Sequence, residues 1–151
     1  MKKITLILSL LFFASIGAFA QIIDPISWKG VAKRISPTEA IVYIKAELDE
    51  GWHLYSQTVK AGGPTATLFT FPKSKDYVLV GNTIEPKPIV KFEKVFSMNV
   101  AYFQDEAIFQ QKVKLNKGAK SVKGKVYYGV CNDESCLPPT EYEFNVPIPA
   151  K

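Results

Sequence analysis

The 151-residue chain has few of the residues that usually carry catalysis or metal binding. It contains two cysteines and one histidine, and it shows no internal repeat and no low-complexity stretch. No apolar pattern of 3.6-residue period extends over a helix length, which argues against a helical domain. Beyond residue 20 no segment is long and apolar enough to span a bilayer. We therefore expect a soluble domain without stable membrane insertion, whose chemistry depends on the cysteine pair.

The N-terminus has the parts of a secretory signal peptide over residues 1–20. Two lysines follow Met1, an apolar core occupies residues 4–13, and the small residues Ala18 and Ala20 suit a signal peptidase. We predict cleavage between Ala20 and Gln21, which leaves one domain over residues 21–151 and implies a periplasmic or secreted location. An uncleaved membrane anchor is the alternative, because the apolar run approaches spanning length.

The charge of the chain is mildly basic. There are 19 basic and 14 acidic residues, and the net charge of +5 falls to +3 once the two lysines of the signal are removed. Lysines are densest between residues 112 and 125, where they alternate with apolar positions, a pattern typical of the solvated face of a sheet. Nucleic-acid binding is not expected, because the chain is exported and has no recognition motif.

The region after residue 20 has the two-residue periodicity of β-strands. In residues 40–48, for example, Val42, Ile44, Ala46 and Leu48 fall on one face. Turn signals rich in glycine, proline and asparagine separate the runs. About eight short antiparallel strands favour an all-β fold, an immunoglobulin-like β-sandwich. The predicted strands cover residues 28–32, 40–48, 65–71, 77–80, 98–103, 107–115, 122–130 and 141–146.

The two cysteines lie close together near the C-terminus. Cys131 and Cys136 flank a polar turn, Asn132 to Ser135, and exported proteins form disulfides. Closing so short a loop stabilises the fold by only about 2 kcal/mol, and a domain of this length buries a sizeable core without disulfides. The pair is therefore a candidate for thiol–disulfide exchange, in which one thiolate attacks and the other resolves the mixed disulfide.

Other interpretations of the pair remain open. The disulfide could be a structural clamp on a turn, in a non-catalytic secreted binding or structural module. A metal site could use the cysteines with His53 or Met98, soft ligands for Cu(I) or zinc, but no ligand spacing links His53 to the cysteines. We predict no metal and no cofactor. Asp133 and Glu134 would raise the pKa of a nearby thiol, although a carboxylate could also accept the thiol proton during exchange.

The run VYYGVCNDESCLPPTEYEF, residues 126–144, resembles the active-site hairpin of the N-terminal periplasmic domain of the thiol–disulfide interchange protein DsbD. An aromatic strand, two cysteines, an apolar residue and Pro-Pro carry the likeness, and the run GWHLY at residues 51–55 is similar to a second family signature. The resemblance spans essentially the whole mature chain. It implies an immunoglobulin-like sandwich with a redox disulfide, acting as a component of a protein-disulfide reductase.

The resemblance also implies roles for individual residues. Cys136, which precedes Leu-Pro-Pro, would attack the partner's disulfide, and Cys131 would resolve the intermediate. Tyr55 and His53 would line the site.

Members of the family cover their cysteines with a short cap loop that bears an aromatic ring and acidic residues. The matching stretch here is residues 92–96, which includes Glu93. Phe96 is the expected shielding ring, and Val95 takes that place if the alignment slips by one residue.

The chain departs from the family pattern in two ways. It holds four residues between the cysteines, whereas well-known members hold five, so the hairpin geometry should differ locally. The larger family protein also has a membrane domain and a terminal thioredoxin-like domain, for which this sequence has no counterpart. The resemblance therefore implies envelope partners of the thioredoxin-like type and a separate membrane reductant conductor as electron source.

Overall fold

The computed structural model describes residues 24–150, and every regular element in that range is a β-strand. The predicted signal peptide lies outside the described residues. Within residues 24–150 there is no helix of the length and apolarity needed to cross a membrane. The all-β prediction is confirmed. The eleven strands are β1 (Ile26–Ser36), β2 (Glu39–Leu48), β3 (His53–Tyr55), β4 (Leu68–Thr70), β5 (Tyr77–Ile84), β6 (Ile89–Glu93), β7 (Met98–Phe103), β8 (Glu106–Leu115), β9 (Ser121–Tyr128), β10 (Val130–Cys131) and β11 (Thr140–Pro147).

The strands form an antiparallel sandwich. One layer is the sheet β1-β2-β8-β5, and the other contains the sheets β11-β9-β4 and β10-β3-β7-β6. Only Gly129 separates β9 from β10, so the chain passes there from one sheet of the second layer to the other. The cysteine hairpin begins immediately after this passage. The immunoglobulin-like sandwich that the sequence predicted is therefore the observed architecture.

The core lies between the layers and follows from the alternation in the long strands. Even positions of β2 and β9 and odd positions of β8 are buried, as the two-residue period requires. Trp28 of β1 joins the layers, because its ring stacks on Tyr142 and meets Tyr128 and Phe69 at centroid distances of 5.2 to 6.3 Å. This core contains neither cysteine.

Two short strands, β3 and β6, were not predicted, and the strand predicted at 122–130 is divided at Gly129 into β9 and the short β10. β3, β6 and β10 are two to five residues long, too short to show a period, and four of the five residues of β6 are exposed. Residues 92 and 93, which the sequence assigned to a cap loop, belong to β6 because they pair with β7. The predicted loop is thus the end of a β-hairpin. The strand predicted at 65–71 is regular only at 68–70.

Candidate redox site

Cys131 and Cys136 form a disulfide, with Cα atoms 4.0 Å apart. Cys131 ends β10, at the edge of the sheet β10-β3-β7-β6, and lies opposite His53 of β3. Cys136 pairs with Cys131 across an isolated antiparallel bridge. The short turn between the cysteines therefore projects from a sheet edge, where another protein can approach it.

The two cysteines differ in accessibility. Cys131 is only 6% exposed, because it packs in a small cluster with Tyr55, Val100 and Tyr102. Cys136 is exposed and follows a turn whose residues 133–135 are exposed as well. An incoming thiol or disulfide can therefore reach Cys136 directly, whereas Cys131 is shielded by its neighbours.

A cleft of about 300 Å³ lies beside the disulfide. The structure brings together in it all six site residues that the sequence singled out, although they come from segments far apart in the chain. The other lining residues are Val95 and the turn between the cysteines. The six are His53, Tyr55, Glu93, Phe96, Cys131 and Cys136.

A β-hairpin covers one side of the cleft. We call residues 94–97 the cap tip, which connects β6 to β7. The Phe96 N–H donates to the Glu93 carbonyl at 3.2 Å, and Ser97 adopts a left-handed conformation with φ of 52°. Phe96 is half-buried and packs against the cluster that contains Cys131, whereas the side chain of Val95 is 87% exposed. Of the two candidates for a shielding ring, Phe96 makes the contact.

The base of this hairpin is held by Glu85, in the segment between β5 and β6. Its carboxylate accepts hydrogen bonds from the Ser56 hydroxyl at 2.5 Å and from the Gln57 backbone N–H at 2.8 Å. Both partners directly follow Tyr55 in the chain. Glu85 therefore attaches the hairpin base to the strand that carries Tyr55, while an apolar contact of Phe96 holds the cap tip.

Tyr55 is a buried phenol next to the disulfide. Burial raises the pKa of Tyr55 to about 12, and the nearby Glu93 and Tyr102 add to the shift. The Tyr55 hydroxyl therefore stays protonated at any physiological pH, so it is available as a hydrogen-bond donor and not as a base.

Glu93 of β6 and His53 of β3 also line the cleft, from the two strands that flank β7. Lys91 approaches Glu93 at 3.4 Å, and this carboxylate raises the pKa of Lys91. The Gln104 amide donates to His53 Nε2 at 2.8 Å, and the His53 ring meets Tyr102 edge-on at 4.8 Å. Both polar side chains thus have a partner that limits their rotation.

The geometry gives little support to the metal interpretation. Both sulfurs are engaged in the disulfide, and Met98 packs against the apolar cluster around Cys131. Among residues 24–150, His, Cys, Asp and Glu side chains form no group of three or more able to hold a metal ion.

Several contributors to the site were not singled out from the sequence. Val100 and Tyr102 reach Cys131 only because β7 pairs with β3, and Glu85 reaches Ser56 across 29 positions. No local pattern contains such contacts. Asn132 is different, because asparagine followed by two acidic residues and serine is a turn signal that could have marked it.

The fold and the site together define a β-sandwich domain that presents an accessible disulfide beside a capped cleft. Residues 28–148 match the family of the thiol:disulfide interchange protein DsbD, N-terminal. Because this match covers most of the chain, the protein belongs to the family of DsbD N-terminal domains, as the resemblance of its cysteine hairpin predicted.

Solved structures share the fold of this chain. The N-terminal periplasmic domain of ScsB from Proteus mirabilis superposes with a TM-score of 0.61 at 19% identity, over 82% of this chain and 46% of that chain. The reduced DsbD N-terminal domain of Neisseria meningitidis gives 0.52 at 16%, over 82% and 86% of the chains. The complex between the DsbD N-terminal and PilB N-terminal domains of that organism gives 0.56 at 13%, over 83% and 87%.

At these identities the likeness shows the fold. The chain spans about half the length of the ScsB domain that it matches. No curated protein sequence matches the chain significantly.

Proposed function

We propose that this protein is an exported thiol–disulfide exchange domain whose Cys131–Cys136 pair relays reducing equivalents to thiol oxidoreductases of the cell envelope. The observation that carries the proposal is the asymmetry of the pair. Both cysteines line the cleft, but Cys136 is exposed whereas Cys131 is only 6% exposed. A nucleophile needs access to its partner, and a resolving thiol needs access only to the nucleophile's sulfur.

The proposed reaction begins with the reduced pair. The Cys136 thiolate attacks a disulfide of the partner, so that one partner sulfur leaves as a thiolate and the other is bound to Cys136. The Cys131 thiolate then attacks the Cys136 sulfur and displaces the second partner sulfur. Two electrons and two protons have passed to the partner, and the domain is left with the Cys131–Cys136 disulfide seen in the structure.

The lining residues take supporting roles in this proposal. The Glu93 carboxylate, which lines the same cleft as Cys136, would accept the thiol proton as Cys136 is activated. Tyr55, which remains protonated, would serve as a hydrogen-bond donor to the reacting sulfur, and His53 forms part of the cleft wall. Phe96 packs against the cluster that contains Cys131 and, in this proposal, limits direct attack on that buried sulfur.

The proposed partners are thioredoxin-like envelope proteins with a reducible disulfide. The solved complex of a DsbD N-terminal domain with a PilB N-terminal domain supports binding between such domains. The electrons would come from a dithiol of a membrane reductant conductor, because the matched family is the N-terminal domain of an interchange protein. After cleavage at Ala20–Gln21, the domain would act in the periplasm or outside the cell.

A reduction potential tests this function. The folded protein is equilibrated with glutathione and dithiothreitol buffers, quenched by alkylation, and the two redox forms are counted by mass spectrometry. We expect a potential above about −300 mV, in the range of exchange-active proteins. A lower value would indicate a structural clamp in a non-catalytic module and would overturn the proposal.

A further inference from the structure

The turn between the cysteines is organised by one side chain, that of Asn132. Its Oδ1 accepts hydrogen bonds from the backbone N–H of Glu134 at 2.9 Å and of Ser135 at 2.7 Å, and from the Ser135 hydroxyl at 3.4 Å. The Asn132 N–H donates to the Ser135 carbonyl at 2.9 Å. A single residue thus closes the turn with both its side chain and its backbone.

These bonds continue a ladder that begins outside the turn. The Leu137 N–H donates to the Val130 carbonyl at 3.0 Å, Cys131 and Cys136 follow as the next pair, and Asn132 and Ser135 close the end. In an ordinary two-residue hairpin the Ser135 N–H would bind the carbonyl of the residue three positions before it. Here it binds the Asn132 side-chain oxygen instead.

None of these hydrogen bonds involves a sulfur atom, so they can persist when the disulfide is reduced. The turn and the disulfide close the same short segment. Once either one has formed, less conformational entropy is lost when the other forms. A turn that is already formed keeps the two thiols close together. It raises their effective concentration toward each other and favours the disulfide over the dithiol.

We propose that Asn132 is a positioning residue that makes this pair a stronger reductant by holding the dithiol ready to close. The proposal rests on the function proposed above and deepens it, because it names the feature that sets how readily the domain gives up its electrons. It also accounts for the turn of four residues, which one asparagine side chain spans.

Two variants of similar size separate the hydrogen-bond acceptor from the bulk of the side chain. Asn132→Leu removes the acceptor oxygen, and Asn132→Asp retains one. The reduction potential of each folded variant is measured in the same buffers as that of the wild type. We expect Asn132→Leu to lower the equilibrium constant for disulfide formation about tenfold, which raises the reduction potential by about 30 mV for this two-electron couple. In Asn132→Asp this equilibrium constant should stay within about threefold of the wild-type value.

The thermal stability of the oxidised form is measured alongside. A purely structural role would lower stability in both redox states and leave the reduction potential unchanged. The proposal is therefore overturned if the equilibrium constant for disulfide formation in Asn132→Leu stays within about twofold of the wild-type value. An equal rise in both variants overturns it too, because acceptor loss would not be the cause. A wild-type potential below about −300 mV would instead refute the proposed function, and a rise in Asn132→Leu alone would still establish the positioning role.

Discussion

The contact between Phe96 and the cluster around Cys131 makes a quantitative prediction. A fully buried phenylalanine side chain contributes about 1.5 to 3 kcal/mol, and Phe96 is half-buried. Phe96→Ala should therefore destabilise the closed conformation of the cap tip by about 1 kcal/mol relative to the open one, which increases the open population about fivefold. Because Phe96 packs against the cluster that contains Cys131, we expect that thiol to become correspondingly more reactive.

The assay follows alkylation of Cys131 by a small maleimide in reduced protein that carries Cys136→Ser. We expect labelling about fivefold faster in the Phe96→Ala variant. Val95→Ala is the matched control, because that neighbouring side chain is 87% exposed and its removal forfeits little burial. An unchanged rate with Phe96→Ala would refute the shielding role. A loss of more than about 3 kcal/mol in unfolding free energy would identify Phe96 as a core residue instead.

Three further predictions concern stability and ionisation. The double variant Cys131→Ser, Cys136→Ser should stay folded and lose about 2 kcal/mol in denaturant unfolding, because the short loop closes at little entropic cost and the main core contains neither cysteine; an unfolded variant would favour the structural clamp. Glu85→Ala should lower the free energy of unfolding by about 1 to 3 kcal/mol, because the Ser56 hydroxyl loses a charged acceptor, and Glu85→Gln should lower it less. Equal stability of the wild type and both variants would contradict the attachment of the hairpin base through Glu85. The unfolded Tyr55 phenol ionises near pH 10 and the folded one near 12, so this residue's contribution to stability should be full below pH 10 and lost as pH rises to 12; stability curves of wild type and Tyr55→Phe that run parallel between pH 10 and 12 would contradict the shift.

The long strands could be predicted from the sequence because their burial alternates. In β2, β8 and β9 one face meets the core and the other meets solvent, so the two-residue period is visible in the residues themselves. β6 lacks that signal. Ile89, Val90 and Phe92 are all exposed, and the segment is a strand because β7 pairs with it.

The site was predictable only in part. The hairpin motif identified the cysteines, and the resemblance to the family supplied Tyr55, His53, Glu93 and Phe96. The contacts that fix these residues were not predictable, because they join distant segments. Tyr102 packs beside Cys131 through the pairing of β7 with β3, and Glu85 reaches across to Ser56. Such contacts depend on tertiary structure, which no local pattern encodes.

The central claim, that Cys136 attacks a partner and Cys131 resolves the intermediate, is tested most directly by trapping mixed disulfides in the cell envelope. Cys131→Ser and Cys136→Ser proteins are exported in parallel, thiols are quenched with acid and alkylated, and adducts are separated without reductant. We predict that the Cys131→Ser protein accumulates reductant-sensitive adducts with proteins that carry a reducible cysteine pair, and that the Cys136→Ser protein does not. Adducts on neither variant, or predominantly on Cys136→Ser, would contradict the account.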